Sequence, residues 1–560
     1  MKTLSTTLLI LLCGFYVNAQ ISLIDAKGIG NIEYNSIEFL RSLPTDNIMV
    51  AGITSQPTDV SLNGGIPRVI NANSLQDIFW MEGDNAIQNT TGAGLINGTN
   101  YNFIQDLQVI KGPGGGALFG MNTNAGVLNI VGSSPINFAT AGGVAFNTDA
   151  NANVENYLTI QSSVAAQISQ VKECQTDWLV TGSYGGNMSL GSYNLTSIGT
   201  RDGFIGKWNP LITTPQWLGE VKAFGFNSFD RIFYNENSNE VVACGGLAAS
   251  GNYVCNSIST PLSTSSFGNT VFILRLNATD GSYVNHTIFG SVSNVNPFGI
   301  LENAGGVYFA GNMNDDVYPD RNNTSTVIQG FGNADQLLLK FSPSLTYETA
   351  RVSGGAESDI GRNLREFTKS HSGIMATAGF RTDVLSGGGI NQQACIEMFD
   401  EFLNLIATYI FGGNGYEMAN DVDVDSIGNM FIAGYFQDTV DMDPGPGVFN
   451  LISAGGFDAF VAKYDATTLG LSEVQTGKSG LELFPVPADN LISVRGILRT
   501  SRDGILTVLD LNGREVYYEV LHATSDFKRD IYIKNLSDGV YFLQLKTSEE
   551  VMMKKFLIAH

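Results

Sequence analysis

Three aspartates at alternate positions, Asp421, Asp423 and Asp425, form the densest group of chemically capable side chains in the sequence. Alternate residues of a strand share a face. Three carboxylates placed side by side would attract a cation, and hard oxygen ligands suit calcium. No glutamate follows at the spacing that completes an EF-hand loop, and no other part of the chain repeats the run. The plainer reading is therefore a solvated or turn-forming acidic stretch. Asp441 and Asp443, which flank Met442 ahead of Pro444-Gly445, read as caps of a tight turn.

Other chemistry finds few residues. Of the four histidines, His522 and His560 lie near the C-terminus, while His286 and His371 stand far apart. No His-x-x-x-His or Cys-x-x-Cys spacing is present to build a zinc site. No Gly-x-Ser-x-Gly elbow marks a hydrolase, although a Ser–His–Asp set can assemble in space. Gly112-Pro113-Gly114-Gly115-Gly116 lacks the Lys and Ser/Thr of a phosphate loop and reads as a turn. Cys244 and Cys255 flank a strand–loop–strand pattern. They either close a local disulfide in an oxidising compartment or pack as two buried thiols. With Cys174 and Cys395 they are too few for a disulfide scaffold.

The N-terminus reads as a secretory signal. Lys2 supplies the positive charge, residues 8–15 an apolar run, and Val17 and Ala19 small residues at −3 and −1 before cleavage between Ala19 and Gln20. The run is too short to span a bilayer, and no later stretch is long and apolar enough to do so. The formal charge is −23, from 53 acidic and 30 basic residues, which argues against nucleic acid as a partner. With 64 Gly and few helical periodicities, short Val/Ile/Phe/Tyr runs alternate with Gly/Asn/Asp/Ser clusters, as strands and turns do.

These runs repeat. A turn, a short apolar strand and a glycine recur at Gly52, Gly132, Gly182, Gly245, Gly311, Gly379 and Gly434. A recurring glycine suits a place where a neighbouring backbone comes close. A second phrase, an apolar strand often carrying a basic residue, follows at 201–208, 268–276, 334–341 and 457–464, with weaker copies at 75–81, 142–147 and 392–399. Seven units of about four short strands predict an all-β fold, a seven-bladed β-propeller over residues 20–466. Residues 411–465, with their FGG, their Asp-x-Asp-Pro-Gly turn and their GG-x-D-A-F-V-A-K strand, resemble the SBBP repeat of secreted bacterial β-propellers. That resemblance implies a fold and a secreted context but no activity.

After a polar linker at 467–480, residues 481–560 read as alternating strands broken by Asn-Gly and Asp-Gly turns, hence a small antiparallel β-sandwich. Pro485 and Pro487 behind Phe484, Gly513 in its LNGREV phrase, Gly539 and Tyr541 in NLSDGVYF, and Lys554-Lys555-Phe556 stand in order. Together they resemble the C-terminal sorting domain of type IX secretion in Bacteroidetes. Val486 stands where that family usually has Asn. The resemblance implies the type IX machinery as partner and a secreted or cell-surface location.

The reading favoured on this basis is a non-enzymatic binding or adhesion propeller without a cofactor, for a surface glycan or protein. The alternatives are a hydrolase or lyase acting on an extracellular polymer, and a passive surface-layer component. Convergent acids and bases in the central channel would favour the enzyme, and an aromatic-lined apolar face would favour binding. Residues 21–26 are expected to pair as the outer strand of the blade that contains Phe460–Tyr464. The interval from Gly52 to Gly132 exceeds the others, which predicts an inserted loop within 83–125 with Tyr101 and Phe103 as ligand contacts.

Overall fold

The computed structural model describes residues 21–30, 34–62, 69–70, 76–99, 102–109, 116–130, 135–149, 153–212, 214–263, 269–320, 325–367, 373–384, 390–413, 415–466, 480–484, 488, 490–510, 514–547 and 551–558. Every regular element among them is a β-strand. The chain divides into two compact units, Met1–Ser472 and Glu473–His560.

The strands of the first unit group into antiparallel meanders of four, numbered here 1 to 7 in chain order. Their first strands are Asn35–Ser42, Asn102–Val109, Ala165–Cys174, Arg231–Asn235, Val295–Asn303, Ile360–Glu366 and Met418–Val424. Each first strand lies against the next in this order, and Met418–Val424 lies against Asn35–Ser42. The second phrase of the sequence repeat supplies the third strand in every meander, including the weak copies at Asp77–Gly83, Gly142–Thr148 and Ile390–Phe399. Meander 7 draws its fourth strand from the other end of the chain. Ser22–Ile29 runs antiparallel to Asn450–Asp465, with Leu23 opposite Tyr464 and Gly28 opposite Phe460. The pairing expected of residues 21–26 is present from Ser22 and extends to Ile29. Meanders 6 and 7 also join edge to edge through Gly412–Gly413 and Val440–Asp441, so together they form an eight-stranded sheet.

The recurring glycine has a steric cause. A Cβ on Gly52 would lie 2.1 Å from the carbonyl oxygen of Ser36, and one on Gly182 would lie 1.8 Å from that of Gln167. Gly245, Gly379 and Gly434 meet Ser228, Ile360 and Met418 in the same way. Except for Ser228, which precedes Arg231–Asn235, the obstructing carbonyl belongs to the first strand, just before the point where its pairing slips by one residue, as between Ile37 and Phe39 or Ile168 and Gln170. Such a β-bulge bends the strand and increases its twist, bringing its backbone onto the second strand.

This register corrects one reading of the sequence. In meander 2 the residue opposite the bulge is Met121, which pairs with Ile104. Gly132 follows Gly126–Ile130, an additional strand on the edge of meander 1 that pairs with Thr90–Gly98. With Met121 restored to the series 52, 121, 182, 245, 311, 379 and 434, the long first interval disappears. Residues 83–125 are not an inserted loop. They hold the fourth strand of meander 1 and the first two strands of meander 2.

In the second unit, the long strands Leu491–Leu509 and Glu515–Tyr532 pair along most of their length. Gly480–Phe484 is added at one end of Leu491–Leu509, and Gly539–Thr547 with Val551–Ile558 at the other. Side chains from both ends, Ile492, Val494 and Ile531 with Leu506, Leu543 and Phe556, share one core. The turn between Leu509 and Glu515 is the expected hairpin. The Asp538-Gly539 turn is not, because Gly539–Thr547 pairs with Leu491–Leu509 rather than with the strand before it.

Gly182→Ala should lower stability by about 1–3 kcal/mol, the usual cost of overpacking. Gly246→Ala, whose Cβ would meet nothing nearer than the Ser228 hydroxyl at 3.6 Å, should leave it close to wild type. Thermal unfolding of the two variants distinguishes a close-approach glycine from a merely flexible one.

Candidate functional site

The residue that follows the bulge region on each first strand occupies an equivalent place in all seven meanders. Register puts Arg41, Gln108, Lys172, Phe233, Leu301, Arg365 and Asp423 there. Because the first strands contact one another in succession, the arginines of this set meet aspartates two positions earlier on neighbouring first strands. Arg41 ion-pairs with Asp421 and lies 3.5 Å from Asp106, while Arg365 reaches Asp421 at 3.5 Å. Four meanders thus contribute to one buried charge cluster.

The acidic run belongs to this cluster, and its members have separate duties. Asp421 is fully buried and accepts the backbone N–H of Leu40 at 3.0 Å. Asp423 accepts that of Ser42 at 2.9 Å, and burial raises its pKa against the pull of Arg41 and Arg365. Asp425 accepts the backbone N–H of Asn429 at 2.8 Å and its side-chain amide at 2.7 Å, and Asn85 donates to it at 3.1 Å. Burial opposes ionisation of Asp425, but these donors hold its pKa below the ordinary value. The expectation of a solvated acidic run is corrected, since Asp421 and Asp425 are buried. The turn-forming part of that reading holds at Asp425. The three carboxylates do not share a centre, and among the described residues no group of three His, Cys, Asp or Glu is spaced to hold a metal ion. Asp441 caps its turn by accepting the N–H groups of Asp443 and Phe449 at 3.0 and 2.9 Å.

The same seam carries further ties. Asn420 donates to the carbonyl of Ile37 at 2.9 Å, and the Ser426 hydroxyl donates to Asp46 at 2.7 Å. The Lys463 ammonium donates to the carbonyl of Asn85 at 2.9 Å and lies over the Phe431 ring. The basic residues of the second phrase are therefore buried clamps. Arg275 likewise joins Glu240 in its own meander to Glu302 in the next.

Tyr101, Ala19, Gln20, Pro485, Pro487 and Gly513 lie outside the described residues. Phe103 is the second residue of the first strand of meander 2 and is 40% exposed. Cys244 and Cys255 are both free and buried. No disulfide joins them because the expected hairpin does not form. Cys244 pairs within meander 4, whereas the strand of Cys255 is added to the edge of meander 3 through Trp217–Lys222. In the second unit Gly539 has φ +153° where its strand begins. The Tyr541 hydroxyl donates to the carbonyl of Ser537 at 3.0 Å, tying the loop to that strand. Lys554 is exposed, and Lys555 pairs with Phe542.

A different face presents open surface. In a four-stranded meander, the loops between second and third strands and those leading to the next meander emerge at the same end. Phe224 and Phe226, leaving meander 3, are 73% and 52% exposed. Phe331 in meander 5 is 61% exposed, and Tyr416, entering meander 7, is 46% exposed. The Arg201 guanidinium lies over the Phe226 ring at 5.5 Å. Phe224 and Phe226 stand in AFGF at 223–226, a form that IFGS at 288–291 and IFGG at 410–413 share at the close of other units, while Phe331 and Tyr416 fall in variable loops.

Residues 482–559 match the secretion system C-terminal sorting domain. No curated protein matches the chain. The sorting domain directs export by type IX secretion, so the chain is a secreted protein of Bacteroidetes type that is attached to the cell surface or released. Among the described residues no helix is long and apolar enough to cross a membrane.

One buried carboxyl sets a pH dependence. Burial pushes Glu417 up to about 7, against hydrogen bonds from the Gly413 and Gly415 backbone. Its pKa is raised on folding, so its contribution is intact below the unfolded value near 4.5 and is lost as pH rises through 7. Glu417→Gln should therefore gain stability relative to wild type between pH 5 and 8, by up to roughly 3 kcal/mol. The gain should be level above that range. A difference between the two proteins that does not change with pH would show that Glu417 ionises normally.

Proposed function

We propose that residues 20–466 close into a seven-bladed β-propeller of SBBP-like repeats. On this reading the propeller is a non-enzymatic module that binds an extracellular polysaccharide, and the β-sandwich at 481–560 carries it to the cell surface. Support for the propeller comes from the succession of seven first strands and from the N-terminal strand that completes meander 7. Such closure protects sheet edges.

The observation that carries the binding reading is the group of exposed aromatics at one end, Phe224, Phe226, Phe331 and Tyr416. Phe224 and Phe226 are exposed within two residues of each other, Phe331 and Tyr416 stand on loops of the same end, and loops on a rigid scaffold are where binding residues gather. Aromatic faces beside polar loops suit the apolar faces of sugar rings. The central carboxylates, in contrast, are engaged by backbone N–H groups and arginines, an arrangement that supports a structural duty over acid–base work.

Two measurements test this reading. Replacing Phe224, Phe226, Phe331 and Tyr416 together by Ala in the full chain should weaken binding to the host's extracellular polysaccharide at least tenfold, with the thermal midpoint unchanged. Retained binding would exclude this face. Deleting residues 481–560 should hold the protein in the periplasm, as read by fractionation and immunoblotting, and normal surface or medium levels of the truncated chain would refute the sorting role.

A further inference from the structure

A cleft of about 180 Å³ opens where the first strands of meanders 3, 4, 5 and 6 meet. It is separate from the exposed aromatics, and the inference drawn from it does not depend on them. Lys172, Arg231 and Arg365 reach it from three different meanders, and Glu366 is the carboxylate in its lining. In a chain with 30 basic against 53 acidic residues, three cations in one small cleft are out of proportion. Phe298 and Leu301 give it an apolar wall, and Asn363 adds an amide.

The cations differ in how well they are served. Arg231 donates to the carbonyls of Phe298 and Asp230 at 3.0 and 2.8 Å, and its charge is felt by the buried Asp230 carboxylate. Lys172 donates to Gln108 at 3.1 Å. Glu366 accepts from Asn303 at 2.8 Å. Arg365 is the least satisfied. Its Nε and Nη2 have no hydrogen-bond acceptor, and Asp421, 3.5 Å away, is taken by Arg41 and the Leu40 N–H. A guanidinium presents a planar fork that matches a carboxylate in two places at once.

We propose that this cleft binds one sugar-acid residue. Its carboxylate would be taken by Arg365 with Lys172 beside it, and its ring would lie against Phe298 and Leu301. The cleft has room for a single ring of that size, and its mix of fork, ammonium, amide and apolar wall discriminates a sugar acid from both a neutral sugar and a bare anion.

Calorimetric titration of the full-length protein with glucuronate, galacturonate, glucose, acetate and a glutamate-rich peptide tests the assignment. Saturable binding of a uronate is expected, weakened at least tenfold by Lys172→Gln and abolished by Arg365→Gln, with glucose and acetate silent. Thermal unfolding of each variant, measured alongside, separates lost binding from lost folding. Absence of uronate binding, equal binding of acetate, tighter binding of the peptide, or an unaltered Lys172→Gln protein would each overturn the proposal. Loss of the exposed aromatics should leave uronate binding unchanged, which separates this site from the polysaccharide face.

Discussion

The first unit depends on a seam between the two ends of its chain. Ser22–Ile29 pairs with Asn450–Asp465, and on the first strand, at the other edge of that meander, Asp421 and Asp423 take the N–H groups of Leu40 and Ser42. Neither contact alone would suffice. Backbone pairing supplies an edge partner for the last meander. The buried carboxylates set the distance between first strands, because a charge taken out of water must keep its partners. Ile29, Ile37, Phe431 and Val461 then pack in a single apolar cluster across the same seam.

Elsewhere the meanders meet through apolar clusters joined by polar ties such as Arg275 to Glu302, Asn122 to Ile168 and Asn312 to Gly361. The seam differs in its density of polar ties, from Asn420, Asp421, Asp423, Ser426 and Lys463. Where chain connectivity does not hold two neighbours together, directional bonds do. The acidic run that drew attention as a cation site is thereby explained as a latch.

Much of this was legible in the residues, for physical reasons. Third strands are buried on both faces and read as continuous apolar runs, so all seven copies stood out. The glycine of the second strand stood out wherever a carbonyl forbids a Cβ, as at Gly182 and Gly434. It failed at meander 2, where Met121 occupies the position and Gly132, which follows the extra edge strand Gly126–Ile130 in sequence, imitated it. Burial of Asp421 could not be read locally, since its partners Arg41 and Arg365 are far away in sequence. A faint sign existed in Leu40-Arg41 and Leu364-Arg365, the same pair at the same register of two first strands. Cys244 and Cys255 misled because a crossing between sheets has the same sequence texture as a hairpin. Phe331, Tyr416 and the Arg365 cleft lie in loops and across meanders, where periodicity says nothing.

The N-terminal strand has a bearing on the order in which the molecule comes into being. Its partner, Asn450–Asp465, is among the last segments of the unit to be made, so Ser22–Ile29 waits through the synthesis of six meanders without its neighbour. Joining ends so far apart carries a loop-closure cost that more local pairings do not. Among the strand pairings of the unit this one spans the longest stretch of chain, so it is the pairing whose formation is expected last. Once it is made, the earliest described residues of the unit are held by its latest.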